Sequence, residues 1–184
     1  MEKKIDLRIQ KTYLSLHNAF TDLLEHEHFE NITVNKLCEK AMIRRTTFYK
    51  HFADKYEYFI FYIRETAASF QSEISSEILD LDIHVYFMEM SSRLIHFFRE
   101  NPKLIDNTLQ SEMFPLLLNT LSEEIAQDFY QTARYSNTNM SSIELENYTA
   151  FYASGFLNMV LQYYKKHNAL DEEAFLHTLK NVLF

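Results

Sequence analysis

A chain of 184 residues, 47% of them hydrophobic, holds enough apolar material for a full core and falls in the range of one to two small domains. One glycine and two prolines leave almost nothing for hairpins or Gly-rich phosphate loops, so the expected fold is all-α, with about nine helices and polar connections. The net charge of −8 argues against indiscriminate coating of nucleic acid, and a single cysteine, Cys38, excludes an internal disulfide.

The segment Met1 to Lys11 is too charged for a secretory leader, and no apolar run approaches 18 residues, so a cytoplasmic protein is expected. The first helix is expected from about Asp6 to Glu27, with Ile9, Tyr13, Leu16, Phe20 and Leu24 on one stripe. His26 and His28 near its end suit a helix C-terminus better than a metal site, and no metal is expected.

Residues Thr33 to Phe52 then read as two short amphipathic helices around a tight turn. Val34, Leu37, Cys38 and Ala41 give the first a face to bury, and Phe48 and Phe52, with Ile43, do the same for the second. Cys38, on the buried stripe, is expected to pack rather than react. The outer face of the second carries Arg45, Thr46, Tyr49 and Lys50, types that suit base edges and phosphate oxygens.

Charge sharpens this reading. Residues 1–55 hold ten Lys/Arg against eight Asp/Glu, whereas residues 56–184 hold eight against eighteen. Six basic residues face two acidic ones between Lys36 and Lys55. Lys36, Arg44, Arg45 and Lys55 also stand near helix starts, where a positive macrodipole prefers acids; each forgoes roughly 0.3–1 kcal/mol unless a polyanion arrives. The candidate DNA contacts are Arg44, Arg45, Thr46, Thr47, Tyr49, Lys50 and His51 on the second helix. Thr33, Lys36 and Lys55 are expected on phosphates beside it.

The stretch Ala41-Met42-Ile43-Arg44-Arg45-Thr46-Thr47-Phe48-Tyr49-Lys50-His51-Phe52, followed by Asp54-Lys55, resembles the helix-turn-helix of the TetR/AcrR transcriptional regulators. Its family pattern is Ala-Gly-Val-Ser-x-x-Thr-Phe-Tyr-x-His-Phe. The match is specific over about Ile9 to Tyr62. Met42 stands where the family has a turn glycine and Arg44 where it has a serine cap. The first implies a turn that avoids or strains into positive φ; the second removes a cap of about 1 kcal/mol.

A fourth helix is expected after Asp54, with Tyr56, Phe59, Ile60, Ile63, Ala67, Phe70 and Ile74 on its buried stripe, ending near Ile78. About 25 residues make a rod of roughly 38 Å, long enough to link two domains, with the division at residue 55. Helices follow over about Asp82 to Arg99, Pro102 to Thr108, Met113 to Ala133 and Ile143 to Lys166, the last apolar nearly all round and therefore expected to be buried. A ninth opens at Leu170-Asp171-Glu172-Glu173 with Phe175, Leu176, Leu179, Val182 and Leu183 on one face.

The resemblance implies that the last two helices pair with their mates in a homodimer, through Tyr148, Tyr152, Gly155 and Met159 on one and Phe175, Leu179 and Val182 on the other. Ala153-Ser154-Gly155 offers the small-residue patch that a close helix approach needs. It also implies a cavity for a small effector among helices four to eight. Candidate lining residues are Tyr86, Met90 and Phe97, then Phe114 and Leu117, then Tyr152 and Phe156, with Arg93 and His96 as polar contacts. No HExxH, GxSxG or P-loop is present, so no catalytic residue and no cofactor are expected. The expected function is a dimeric, ligand-responsive repressor on a palindromic operator. An activator, or a DNA-bound adaptor without effector, is the alternative.

Overall fold

In the computed structural model, residues 7–72, 83–135, 140–167 and 172–183 are described. They form nine α-helices, one 3-10 turn and no strand. In chain order these are α1 (Leu7–His26), the 3-10 turn Phe29–Asn31, α2 (Val34–Lys40), α3 (Arg45–Phe48) and α4 (Lys55–Ser72). There follow α5 (Ile83–Glu100), α6 (Pro102–Leu109), α7 (Phe114–Tyr135), α8 (Ser142–His167) and α9 (Glu172–Leu183). The stretch 73–78, where the fourth helix was expected to continue, lies outside the described residues, as do Phe70 and Ile74 as side chains.

Local chemistry accounts for the boundaries. Thr33 caps α2, its Oγ1 accepting from Lys36 N at 3.2 Å. Asp54 Oδ1 accepts from Tyr56 N and Glu57 N at 2.9 Å, and Glu57 Oε2 accepts from Ala53 N, which starts α4. Pro102 occupies the first turn of α6, where its missing N–H costs nothing. Ser141 and Glu144 form a capping box ahead of α8: Ser141 Oγ accepts from Glu144 N at 3.3 Å and Glu144 Oε2 from Ser141 N at 2.8 Å.

The chain divides into two compact units. The first runs to Tyr62 and adds Asn101–Pro115; the second comprises Ile63–Glu100 and Leu116–Phe184. The division therefore falls inside α4 rather than at residue 55, and α6 returns to the first unit. The reason is burial: Leu104, Ile105 and Thr108 are buried on α6, which packs on α1. Asn107 Nδ2 donates to the end of α1 at Leu24 O (2.7 Å), and His28 Nδ1 lies 3.3 Å from Asn107 O. Glu30 Oε1 accepts from Ser111 Oγ and Glu112 N, each at 2.7 Å. Burial works against the Glu30 carboxylate, but these bonds, with His28 nearby, hold its pKa below the usual value.

The core of the first unit is aromatic. Phe20, Phe29, Phe48, Tyr58 and Phe59 are at most 1% exposed, and Phe20 meets Phe29, Tyr58, Phe59 and Tyr62 edge-on at 4.9–6.3 Å. On α4 the buried positions are Tyr58, Phe59, Tyr62 and Ile63, while Tyr56, expected inside, is exposed. The buried stripe shares Phe59 and Ile63 with the expected one but is rotated from it to take in Tyr58 and Tyr62.

In the second unit α9 packs on α5, and its Phe175 and Leu179 are buried. On α8, Ala153, Phe156, Leu157, Val160 and Leu161 are buried, yet Ile143 and Phe151 are more than 70% exposed. Within one chain α8 is not buried all round as expected: Ser154, Gly155, Asn158 and Gln162 share an open side with Phe151. No helix among the described residues is long and apolar enough to cross a membrane.

Candidate nucleic-acid interface

The turn between α2 and α3 is a Schellman motif. Met42 N donates to Glu39 O (3.1 Å) and Ile43 N to Cys38 O (3.0 Å), which places Met42 in the position that favours glycine. Its φ is 55°, and among the described residues it alone combines positive φ with a side chain. For an L-residue this conformation costs about 1–2 kcal/mol. The methionine side chain is 93% exposed, so no packing contact offsets that cost. Arg44 opens α3 without a side-chain cap, as its replacement of serine implies.

The second helix of the motif is a single turn. Beyond Phe48 the chain coils on through Lys50 N to Thr47 O, His51 N to Phe48 O and Phe52 N to Phe48 O. So short a helix sums few peptide dipoles, and cations at its start meet little opposing field. What remains is a two-faced segment. Phe48 and Phe52 are buried in the aromatic core, while Arg44, Arg45, Thr46, Tyr49 and Lys50 are exposed.

The basic residues of this region fall into two groups. Lys36 Nζ is bonded to Glu27 Oε2 at 2.7 Å and Asn31 O at 3.1 Å. Lys40 is paired with Asp22. Lys55 is the most committed: its Nζ donates to Phe29 O, Glu30 O and Ile32 O at 3.0–3.1 Å and lies 4.4 Å above the Phe29 ring. Burial lowers the Lys55 pKa, and all three ammonium donors are used in tying α4 to the turn after α1. Lys36 and Lys55, expected on phosphates, therefore serve the fold in this arrangement. The side chains of Arg44 and Lys50 carry no hydrogen bond or ion pair among the described residues, and the Arg45 guanidinium lies 5.9 Å from the Tyr49 ring.

Three more candidates hold intermediate positions. Thr47 is half-buried. Thr33 is exposed, although its hydroxyl oxygen serves the α2 cap. His51 stands edge-on to Tyr13, ring centres 5.3 Å apart, with Nδ1 3.3 Å from the Tyr13 hydroxyl, and so braces the segment against α1. Cys38 is buried, and desolvation pushes its thiol pKa up, which leaves it a packing residue.

Among the described residues the second unit holds a small cavity that opens to solvent on one side. It has about 40 Å³ of inner space and about 470 Å³ of empty volume counting its open mouth. Of the expected lining, Met90 and Phe156 are present. Phe97, Phe114, Leu117 and Tyr152 are half-buried elsewhere, and Tyr86 lies outside the described side chains. His96 is exposed, and Arg93 is engaged with Glu89 one turn away at 2.8 Å, so neither lines the cavity. What sequence reasoning missed is the α7 stripe Leu121, Glu124, Ile125, Asp128, at three- and four-residue steps on one face. Two carboxylates interrupting an apolar stripe were the available signal.

The candidate dimer residues also divide. Tyr148 and Tyr152 pair at 4.3 Å between ring centres, beside exposed Phe151. Met159 is half-buried. A Cβ at Gly155 would meet nothing within 4 Å. Phe175 and Leu179 are 0–1% exposed within this chain, so they are core and leave no side-chain surface for a partner. The Val182 side chain lies outside the described set.

These features define an all-α protein with a helix-turn-helix in its first unit, and its fold is that of the TetR family. It is similar to the TetR family repressor AlkX from Dietzia, with TM-score 0.63 and 16% identity over 93% of this chain and 92% of that one. It is also similar to the dihydroxyacetone kinase operon activator DhaS, with TM-score 0.60 and 17% identity over 94% of both chains. In sequence, 57 residues are 44% identical to the uncharacterized HTH-type transcriptional regulator YxbF of Bacillus subtilis (strain 168), a stretch covering 30% of this chain and 15% of that protein's length. No protein-family model matches the chain.

Proposed function

We propose that the protein is a DNA-binding transcription regulator, a ligand-responsive repressor that acts as a homodimer on a palindromic operator. The observation that carries this reading is the sorting of cations between Lys36 and Lys55. Three are committed to the fold, and Arg44, Arg45 and Lys50 stand uncommitted with Thr46 and Tyr49 on the exposed side of a segment whose other side is buried. Arg45 and Lys50 suit guanine O6 and N7; Arg44, Thr46 and Tyr49 suit phosphates or a thymine methyl. The likeness to HTH-type and TetR-family proteins supports the same reading.

A two-fold site follows from a two-fold protein. The open side of α8, with Phe151, Tyr148, Tyr152 and Gly155, is the face that a second copy would cover. Control would run through α4, whose first turns belong to the first unit and whose Ala67 lines the cavity of the second. A ligand that prefers one separation of the two reading helices shifts the equilibrium by its differential affinity. DhaS, an activator on the same fold, keeps activation as the second reading of the outcome at the promoter.

Selection of bound duplexes from a random pool, followed by footprinting, tests this directly. An inverted repeat with half-sites spaced by about one helical turn, roughly 34–36 Å, or by multiples of it, is expected. Enrichment of no sequence, or of a site without two-fold symmetry, would overturn it.

A further inference from the structure

The second-unit cavity is apolar except for α7, where Glu124 and Asp128 face it one turn apart. Their situations differ. Glu124 Oε1 accepts from Arg64 Nε at 2.9 Å, so its charge has a local counter-ion. Asp128 has none there, and its Oδ2 is buried without a hydrogen-bond partner. An orphaned carboxylate oxygen against Met90, Leu94 and Phe156 is a costly arrangement, and natural cores rarely keep one without a reason.

Chemistry narrows what would satisfy it. An anion is repelled by two carboxylates, and a neutral hydrocarbon leaves Oδ2 unpaired. A hard divalent cation wants six or more oxygen ligands, and among the described residues no three potential metal ligands come together. A protonated amine supplies N–H donors and positive charge in one compact head, and its hydrocarbon body matches the apolar walls and open mouth. Water can occupy the inner 40 Å³ when the site is empty.

We propose that this cavity is the effector site of the regulator described above and that it takes an amphipathic amine, whose ammonium group pairs with Asp128 while its carbon chain lies against Met90, Leu94 and Phe156. The proposal rests on the regulator reading only for the word effector; the binding chemistry rests on the cavity alone. Desolvation raises the Asp128 pKa to about 7, so near neutral pH an arriving cation finds a carboxyl that ionises at little further cost.

The test uses the full chain with n-hexylamine, 1-hexanol and hexanoate as probes of equal length, read by calorimetric titration and by thermal shift at pH 7.5. Hexylamine is expected to bind roughly tenfold or more tightly than hexanol, with hexanoate weakest. Asp128→Asn should erase the preference for the amine over the alcohol. Hexanol equal to hexylamine in the wild-type chain would overturn the proposal without recourse to any variant, as would an amine preference that survives Asp128→Asn. The same titrations repeated with the selected operator separate the two readings. Amine binding that leaves operator affinity unchanged removes the effector role and keeps the site, whereas absence of any selectable operator removes the regulator and leaves the ranking of probes to judge the cavity.

Discussion

The two units differ in how they treat the ionised groups they draw inward. In the first, the charged groups that the fold pulls inward find partners: Lys55 meets three carbonyls and Glu30 meets Ser111 and Glu112, while Thr33 and Asp54 close helix starts. Around them the aromatic rings interlock edge-on. The second unit keeps a cavity, an unpartnered carboxylate oxygen and an exposed phenylalanine. A satisfied, close-packed body holds side chains at fixed positions, which a surface that reads another molecule requires. A body with an unfilled polar requirement has free energy to gain from a ligand, which a sensor requires.

The largest expected effect lies in the second unit. A carboxyl whose folded pKa is raised, here to about 7 from an ordinary 3.8, binds its proton more tightly in the folded than in the unfolded chain. Its contribution to stability is therefore full below the unfolded value and lost as pH rises towards 7. Urea unfolding should show Asp128→Asn gaining on the wild type between pH 5 and pH 8 by on the order of 1–2 kcal/mol, allowing for the solvent that reaches the site. Parallel pH profiles for the two proteins would break the contrast between the units.

The smaller effect is local to the first unit, at the strained joint at Met42. Met42→Gly should raise stability by about 1 kcal/mol, since glycine occupies positive φ freely and the methionine side chain is 93% exposed. The same change relaxes the turn that sets the angle between α2 and α3. Thermal unfolding with no gain would mean that the turn is held by more than its two Schellman bonds.

Much of the first unit could be read from residue order because its determinants are local. The Thr33 cap, the Asp54 cap, the missing cap at Arg44 and the glycine-like position of Met42 all depend on neighbours a few residues away. Helix periodicity likewise placed Phe48 and Phe52 inside and Arg45, Tyr49 and Lys50 outside. What periodicity supplies is a face, never the identity of what that face meets. Lys36 and Lys55 were expected on phosphates because their partners, Glu27 and the carbonyls of residues 29, 30 and 32, lie 9 to 26 residues away along the chain. Phe175 and Leu179 were expected at a dimer interface because an apolar stripe looks the same whether its own chain or a second copy covers it; here the chain itself buries both. The α7 carboxylates were passed over for the aromatic residues around them, although the position of Asp128 on an apolar stripe is visible in the spacing.

Whether Arg44, Arg45 and Lys50 meet DNA while Lys40 serves the fold is read from a salt series of DNA binding. Fluorescence anisotropy on the selected operator should give a slope of log affinity against log salt that falls in magnitude by about 1 for each phosphate contact removed. Arg44→Ala is expected to reduce the slope and weaken binding to all sequences alike. Arg45→Ala and Lys50→Ala should cost roughly 1–3 kcal/mol and relax base preference, and Lys40→Ala should leave both slope and preference unchanged. Equal losses from Lys40→Ala and Lys50→Ala, or no loss from any of the four, would contradict the account.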